Sequence, residues 1–197
     1  LQRKNRNEET MARTISDNQI LEAALAVIVE HGYAGATTRQ IAAAAGINEV
    51  TLFRRFGSKQ KLLLAVVEQE AENFMAGGVE YTGEIEADLL RIVRFYQHVV
   101  QHRGQVIAMM MTEIPRQPEL LEIMQTPMQI VGKVMAMLER YQQEGKLKPE
   151  PPLQAFLALV GPLFLGGVLD AIGVASVPAP LEPVDLVHRY LQGRAIA

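Results

Sequence analysis

Few side chains in this sequence are spaced for covalent or metal chemistry. His98 and His102 stand four residues apart, so on a helix both imidazoles share one face, as paired metal ligands do. No third ligand follows at helical spacing, so no metal is expected. Polar contacts in a cavity, surface positions and satisfied core positions stay open for the pair. Glu68, Glu70 and Glu72 alternate around a helix and read as a solvated face rather than an acid–base couple. There is no cysteine, which excludes thiol catalysis, disulfide scaffolds and zinc ribbons. Nor is there a glycine-rich phosphate loop or a nucleophile elbow, so neither catalysis nor a cofactor is expected. Seven of the nine methionines lie between Met109 and Met137. Their flexible thioethers suit an adaptable apolar surface, although a packed core explains each one singly.

The elements that carry these residues read as helices throughout. The chain has 197 residues, 49% apolar and 21% charged, which is globular usage. The opening from Leu1 to Arg6 is polar with no apolar run behind it, so no cleavable leader is expected. Pro151 to Leu169 carries no charge, close to the ~18 residues of a membrane-spanning helix. Its Pro151-Pro152, Gly161-Pro162 and Gly166-Gly167 steps favour a buried or dimer-facing helix instead. Net charge is −3, unevenly spread. Residues 1–61 hold nine Lys/Arg against six Asp/Glu, and the remainder ten against sixteen. A basic head on an acidic body suits a molecule that approaches phosphate with one end. Arg3, Lys4 and Arg6 would add a basic arm.

Ser16 caps a first helix that stops at His31-Gly32. Thr37-Thr38-Arg39-Gln40 is a capping box opening a second helix, which Gly46 ends. Asn48 caps a third, Glu49 to Phe56, and Gly57-Ser58 leads to a fourth from Lys59. Three short helices joined by glycine turns have the spacing of a helix-turn-helix. That fourth helix runs on through Leu62 and Phe74, and further helices are predicted for Ile85 to Arg103, Gln105 to Ile114, Pro127 to Gln143, Leu153 to Gly173 and Val184 to Gln192. Ser176 to Pro183 reads as a proline-rich turn. The fold class is all-α, about nine helices: a three-helix head with a helix-turn-helix, then a larger helical bundle body.

Gly32-Tyr33, Thr37-Thr38-Arg39-Gln40-Ile41-Ala42, Ala45-Gly46-Ile47, Thr51-Leu52-Phe53, Phe56 and Ser58-Lys59 together resemble the DNA-binding head of the TetR family of bacterial transcriptional repressors. The resemblance runs from about Ile20 to Leu64, and beyond it only the architecture agrees. It implies a head at residues 14–60, with the helix-turn-helix at about 37–56, and an effector-binding and dimerisation body at 61–197. A helix-turn-helix sets its second helix in the major groove, where Asn48, Glu49 and Val50 would meet base edges. Glu49 can accept from a cytosine amino group, and Val50 can touch a thymine methyl. Asn48 also reads as a plain cap. Arg39 is placed to read guanine, contact phosphate or stay solvated. Thr37 and Thr38 lie at a helix start that favours an anion. Thr51, Phe53, Arg54 and Lys59 match family positions that grip the DNA backbone, while the sequence leaves open whether Arg54 or Arg55 faces DNA. Phe53 stands where tyrosine is usual, removing a phenolic hydrogen bond. Ile28 replaces a common aromatic core residue.

In this family context Phe74, Phe95, Tyr96, His98, His102, Met109, Met110, Met124, Met128 and Phe164 become candidate lining for a small-molecule pocket. The implied protein is a cytoplasmic, non-enzymatic regulator without a cofactor. It would most simply be a repressor released from a palindromic double-stranded DNA operator by a small apolar or amphipathic effector. The resemblance implies a homodimer through Leu153–Gly173 and Val184–Gln192, and no membrane partner. The alternative is a helical binding or dimerisation module that has lost sequence-specific DNA recognition.

Overall fold

A computed structural model describes residues 15–76, 80–174 and 182–196. It falls into two compact units, Leu1–Leu62 and Leu63–Ala197. The first holds α1 (Asp17–Gly35), α2 (Thr38–Ala44), α3 (Glu49–Phe56) and the start of α4 (Lys59–Ala76). The caps read from the sequence form as expected. Ser16 accepts from the Gln19 amide while the Gln19 side chain returns to the Ser16 amide, and Thr37 and Gln40 repeat this box on α2. Asn48 Oδ1 accepts from the Thr51 amide at 2.7 Å. Gly32 takes φ 71°, which a side chain would strain, and breaks the helical path of α1 there. Ile20, Ile28, Ile41, Leu52 and Leu62 are almost completely buried and form the core of this unit.

The second unit holds the rest of α4, α5 (Ile85–Glu113), a 3-10 helix (Pro118–Met124), α6 (Gln125–Gln143), α7 (Pro152–Ala171) and α8 (Pro183–Arg194). Among the described residues there are eight α-helices and one 3-10 helix, with no strand beyond a single antiparallel bridge, Leu147 to Ala195. Leu89, Ile92 and Val93 of α5, Val134, Leu138 and Tyr141 of α6, and Ala155 and Leu159 of α7 are the centre of its core. The 144–151 connection is fastened to the end of α8. Lys148 donates its amide to Arg194, and the Arg194 guanidinium meets Glu150 at 2.7 Å.

Two expectations from the sequence are corrected. The helices expected at Ile85–Arg103 and Gln105–Ile114 are one continuous α5 of 29 residues. Gly104 does not end a helix; it lets α7 come close. A Cβ built on Gly104 would lie 2.9 Å from the Ala171 Cβ, and one on Gly167 only 1.7 Å from Val100 Cγ1. The cost of a mid-helix glycine, about 1 kcal/mol, is offset by this close backbone approach. Residues 118–124, left unassigned in the sequence, form the 3-10 helix that precedes α6. Pro127 lies in the first turn of α6, where its missing N–H has no partner to lose. Most of the turn expected at Ser176 to Pro183, and the Arg3, Lys4 and Arg6 arm, lie outside the described residues.

One acid is buried. Asp88, 1% exposed in the first turn of α5, accepts from the Thr82 amide at 2.9 Å, from the Thr82 hydroxyl and from Tyr141, and pairs with Arg91. Burial alone would raise its pKa. The Thr82 and Tyr141 hydrogen bonds and the Arg91 charge outweigh that, holding the carboxyl below its ordinary value. The same Tyr141 hydroxyl is driven well above its usual range by burial and by the neighbouring carboxylate.

α7 is long and apolar enough to cross a membrane by length and composition. Leu153, Leu157, Leu165 and Ile172 are more than half exposed, and their spacings bring them to one side of the helix and its end. Its other side packs on α5 and α6.

Candidate functional site

α3 has eight residues and one fully buried side chain, Leu52. Packing alone therefore fixes it poorly, and polar contacts hold both its ends. At the start, the Thr38 hydroxyl donates to Glu49 Oε1 at 2.6 Å, linking the first residues of α2 and α3. At the end, Arg55 donates to the Ile15 carbonyl at 2.8 Å and pairs with Asp17. The two adjacent arginines thus differ in their contacts. Arg55 is committed to the start of α1, while Arg54 is exposed and forms no ion pair among the described residues.

Val50 and Arg54 are one helical turn apart, with Phe53 beside them. Val50 is 77% exposed and Phe53 48%. These three side chains form the outward face of α3. Asn48 is exposed at its cap and Thr51 half-buried. On α2, Thr37 is occupied by its capping box, Thr38 by Glu49, and Arg39 is exposed.

Lys59, expected at the DNA backbone, is half-buried. Its ammonium donates to the carbonyls of Tyr33 and Ala36, the latter at 2.7 Å, and lies 4.3 Å from the centre of the Tyr33 ring. It closes the carbonyl end of α1, a role with no local signal in the sequence. Charge at this position still adds to the field of the head.

In the second unit the aromatic candidates meet. Phe74 and Phe95 lie with ring centres 3.8 Å apart. Tyr96 touches both, and also reaches Phe156 at 5.7 Å and Phe164 at 6.5 Å. Phe156 was not singled out in the sequence, although it precedes Phe164 by eight residues on the same apolar helix. Burial pushes the Tyr96 hydroxyl well above its ordinary pKa, so it stays a neutral donor at any physiological pH. Met110 is buried, Met109 and Met124 half-buried, and Met128 half exposed. The histidines point elsewhere. His98 and His102 are both exposed, their rings 4.1 Å apart, with His102 Nδ1 on the His98 carbonyl at 2.9 Å. Among the described residues no three His, Cys, Asp or Glu side chains are grouped to hold a metal ion.

Residues 20–66, which span α2, α3 and the outward face just described, match the sequence model of the bacterial regulatory proteins of the tetR family. Over this stretch the head is similar to that family. YvkB of Bacillus subtilis, described as an uncharacterized HTH-type transcriptional regulator, is 34% identical over 92 residues, 47% of this chain and 49% of that protein. The transcriptional repressor AcnR of Corynebacterium efficiens is 41% identical over 71 residues, 36% of this chain and 37% of AcnR. The chain thus spans about half the length of the first relative and little more than a third of the second. The whole TetR-like fold extends further. The structure of the regulator FadR from Bacillus subtilis, in complex with stearoyl-CoA, superposes with a TM-score of 0.66, covering 90% of this chain and 96% of that one at 18% identity.

Proposed function

We propose that this protein is a ligand-responsive DNA-binding transcriptional repressor. The observation that carries the reading is the outward face of α3. Val50, Phe53 and Arg54 project from a helix whose ends are both fixed to the head by polar contacts. An apolar group and a cation on a short anchored helix suit a major groove, with methyl contact to thymine and charge on phosphate. Residues 14–60 are then the DNA-binding domain and 61–197 the effector-binding and dimerisation domain. The role is non-enzymatic and exercised in the cytoplasm, where the chromosome lies.

The body suits an apolar or amphipathic effector. Four aromatic rings, those of Phe74, Phe95, Phe156 and Phe164, pack around the buried ring of Tyr96, and a structural neighbour of the same fold was captured with stearoyl-CoA. The exposed leucines of α7, with Val184 of α8, supply the apolar stripe for a homodimer. Two heads in a dimer address two half-sites about 34–36 Å apart, or a multiple of that. An effector that binds one head spacing better shifts the population and releases the operator.

The test is selection of genomic fragments by the purified chain, followed by titration at two salt concentrations, because phosphate contacts dominate affinity. Recovery of a palindrome bound far above random DNA, and weakened by some acyl or aromatic ligand, is the expected result. Sequence-indifferent binding by a folded dimer at both salts would replace the reading with a helical binding module that lacks operator recognition.

A further inference from the structure

We propose that Glu49 positions the recognition helix and does not read a base: its carboxylate clamps α3 to α2 through the Thr38 hydroxyl, leaving Val50 to set base preference. The inference rests on the DNA-binding reading above and names the residues that give it specificity. A glutamate that reads cytosine must extend into the groove. Here Glu49 is half-buried and turned back onto α2, in a 2.6 Å hydrogen bond of the strong, charge-assisted kind. Its place at the first residue of α3 also sets its charge against the positive helix end.

Proton accounting supports the same assignment. A threonine hydroxyl has one proton, and Thr38 gives it to Glu49. The oxygen that remains can only accept, as can a phosphate. Thr38 therefore cannot grip DNA with its hydroxyl while the clamp is closed. Together with Leu52 in the core and Arg55 on the Ile15 carbonyl, the Thr38–Glu49 bond gives α3 its third point of attachment. Three points fix an orientation, and two leave a rotation free. Val50, by contrast, is turned outward and 77% exposed.

The experiment uses the full chain, the site it selects and every single base-pair variant of that site. E49Q keeps an acceptor oxygen for Thr38. It should retain the wild-type preference at every position, with affinity changed by less than about fivefold. T38V should weaken binding to all sequences alike, and T38V/E49A should be no weaker than the weaker of its two single variants. V50A should flatten the preference at one A·T position. A change of base preference in E49Q, or fully additive losses from T38V and E49A, would overturn the clamp while leaving the regulator reading intact. A wild-type chain that selects no site defeats that reading, and the clamp's function with it.

Discussion

Arg54 and Arg55 are adjacent in sequence and opposite in role. Arg55 is spent on the Ile15 carbonyl and Asp17, whereas Arg54 faces outward. R54A should leave thermal stability unchanged, weaken binding to all DNA sequences and reduce the slope of log affinity against log salt by about 1. R55A should instead lower the stability of the head by about 1 kcal/mol, read by thermal unfolding, because its ion pair is largely exposed and its backbone contact is the larger loss. Asp88 gives a pH-dependent counterpart. Its folded pKa is depressed, so its stabilisation is present above the unfolded value of about 3.9 and is lost as pH falls through the folded value. The acid limb of the wild-type stability curve should therefore be steeper than that of D88N. At pH 7 the variant should be less stable by about 1–3 kcal/mol. Cap residues such as Thr37 and Asn48 were legible in the sequence because their partners lie three residues away. The partners of Lys59 and Arg55 lie 23 or more residues away and are brought near only when the head closes, so no local pattern announces them.

At the scale of elements, the head was legible almost to the residue. Each of its helices begins with a side chain that bonds its own first turn, and glycine turns punctuate the rest. The body was harder to read. Gly104 carried a stop signal by local rules, yet the structure uses it for contact across helices, and this fused two expected helices into α5. The 3-10 helix at 118–124 has no amphipathic period to reveal it. G167A should test the crossing directly. Its new methyl would overlap Val100 Cγ1, lowering stability by about 1–3 kcal/mol, or a few degrees in Tm for a chain of this size. V100A in the same chain should restore most of that loss, since it removes the atom that is struck. A G167A protein as stable as wild type would show that α5 and α7 are not held at this distance.

For the molecule as a whole, the exposed stripe of α7 matters more than any buried residue. Leu157 and Leu165 are more than half exposed in a single chain, a large apolar area to leave in water. The L157D/L165D variant should keep its helical content and sediment as a monomer. It should also lose tight binding to the palindrome while retaining weak binding to a half-site, read by fluorescence anisotropy. A dimeric double variant would move the interface elsewhere. This stripe was visible in the sequence only as an uncharged run. The sequence could not separate its exposed leucines from its buried ones, because almost every position of α7 is apolar and the periodicity is flat.

The glycine crossing of α5 and α7 also limits how the body can respond to an occupant. Where side chains separate two helices, rotamers can swing and the gap can widen or narrow by small steps. At Gly104 and Gly167 only the short side chains of Ala171 and Val100 intervene, so the crossing works as a fulcrum: the helices pivot about it more readily than they draw apart. Tyr96 and Phe164 lie on these same two helices, about two turns of α5 and one turn of α7 from that point. A guest among the aromatic rings would therefore act on a lever, and the geometry converts its bulk into rotation rather than expansion.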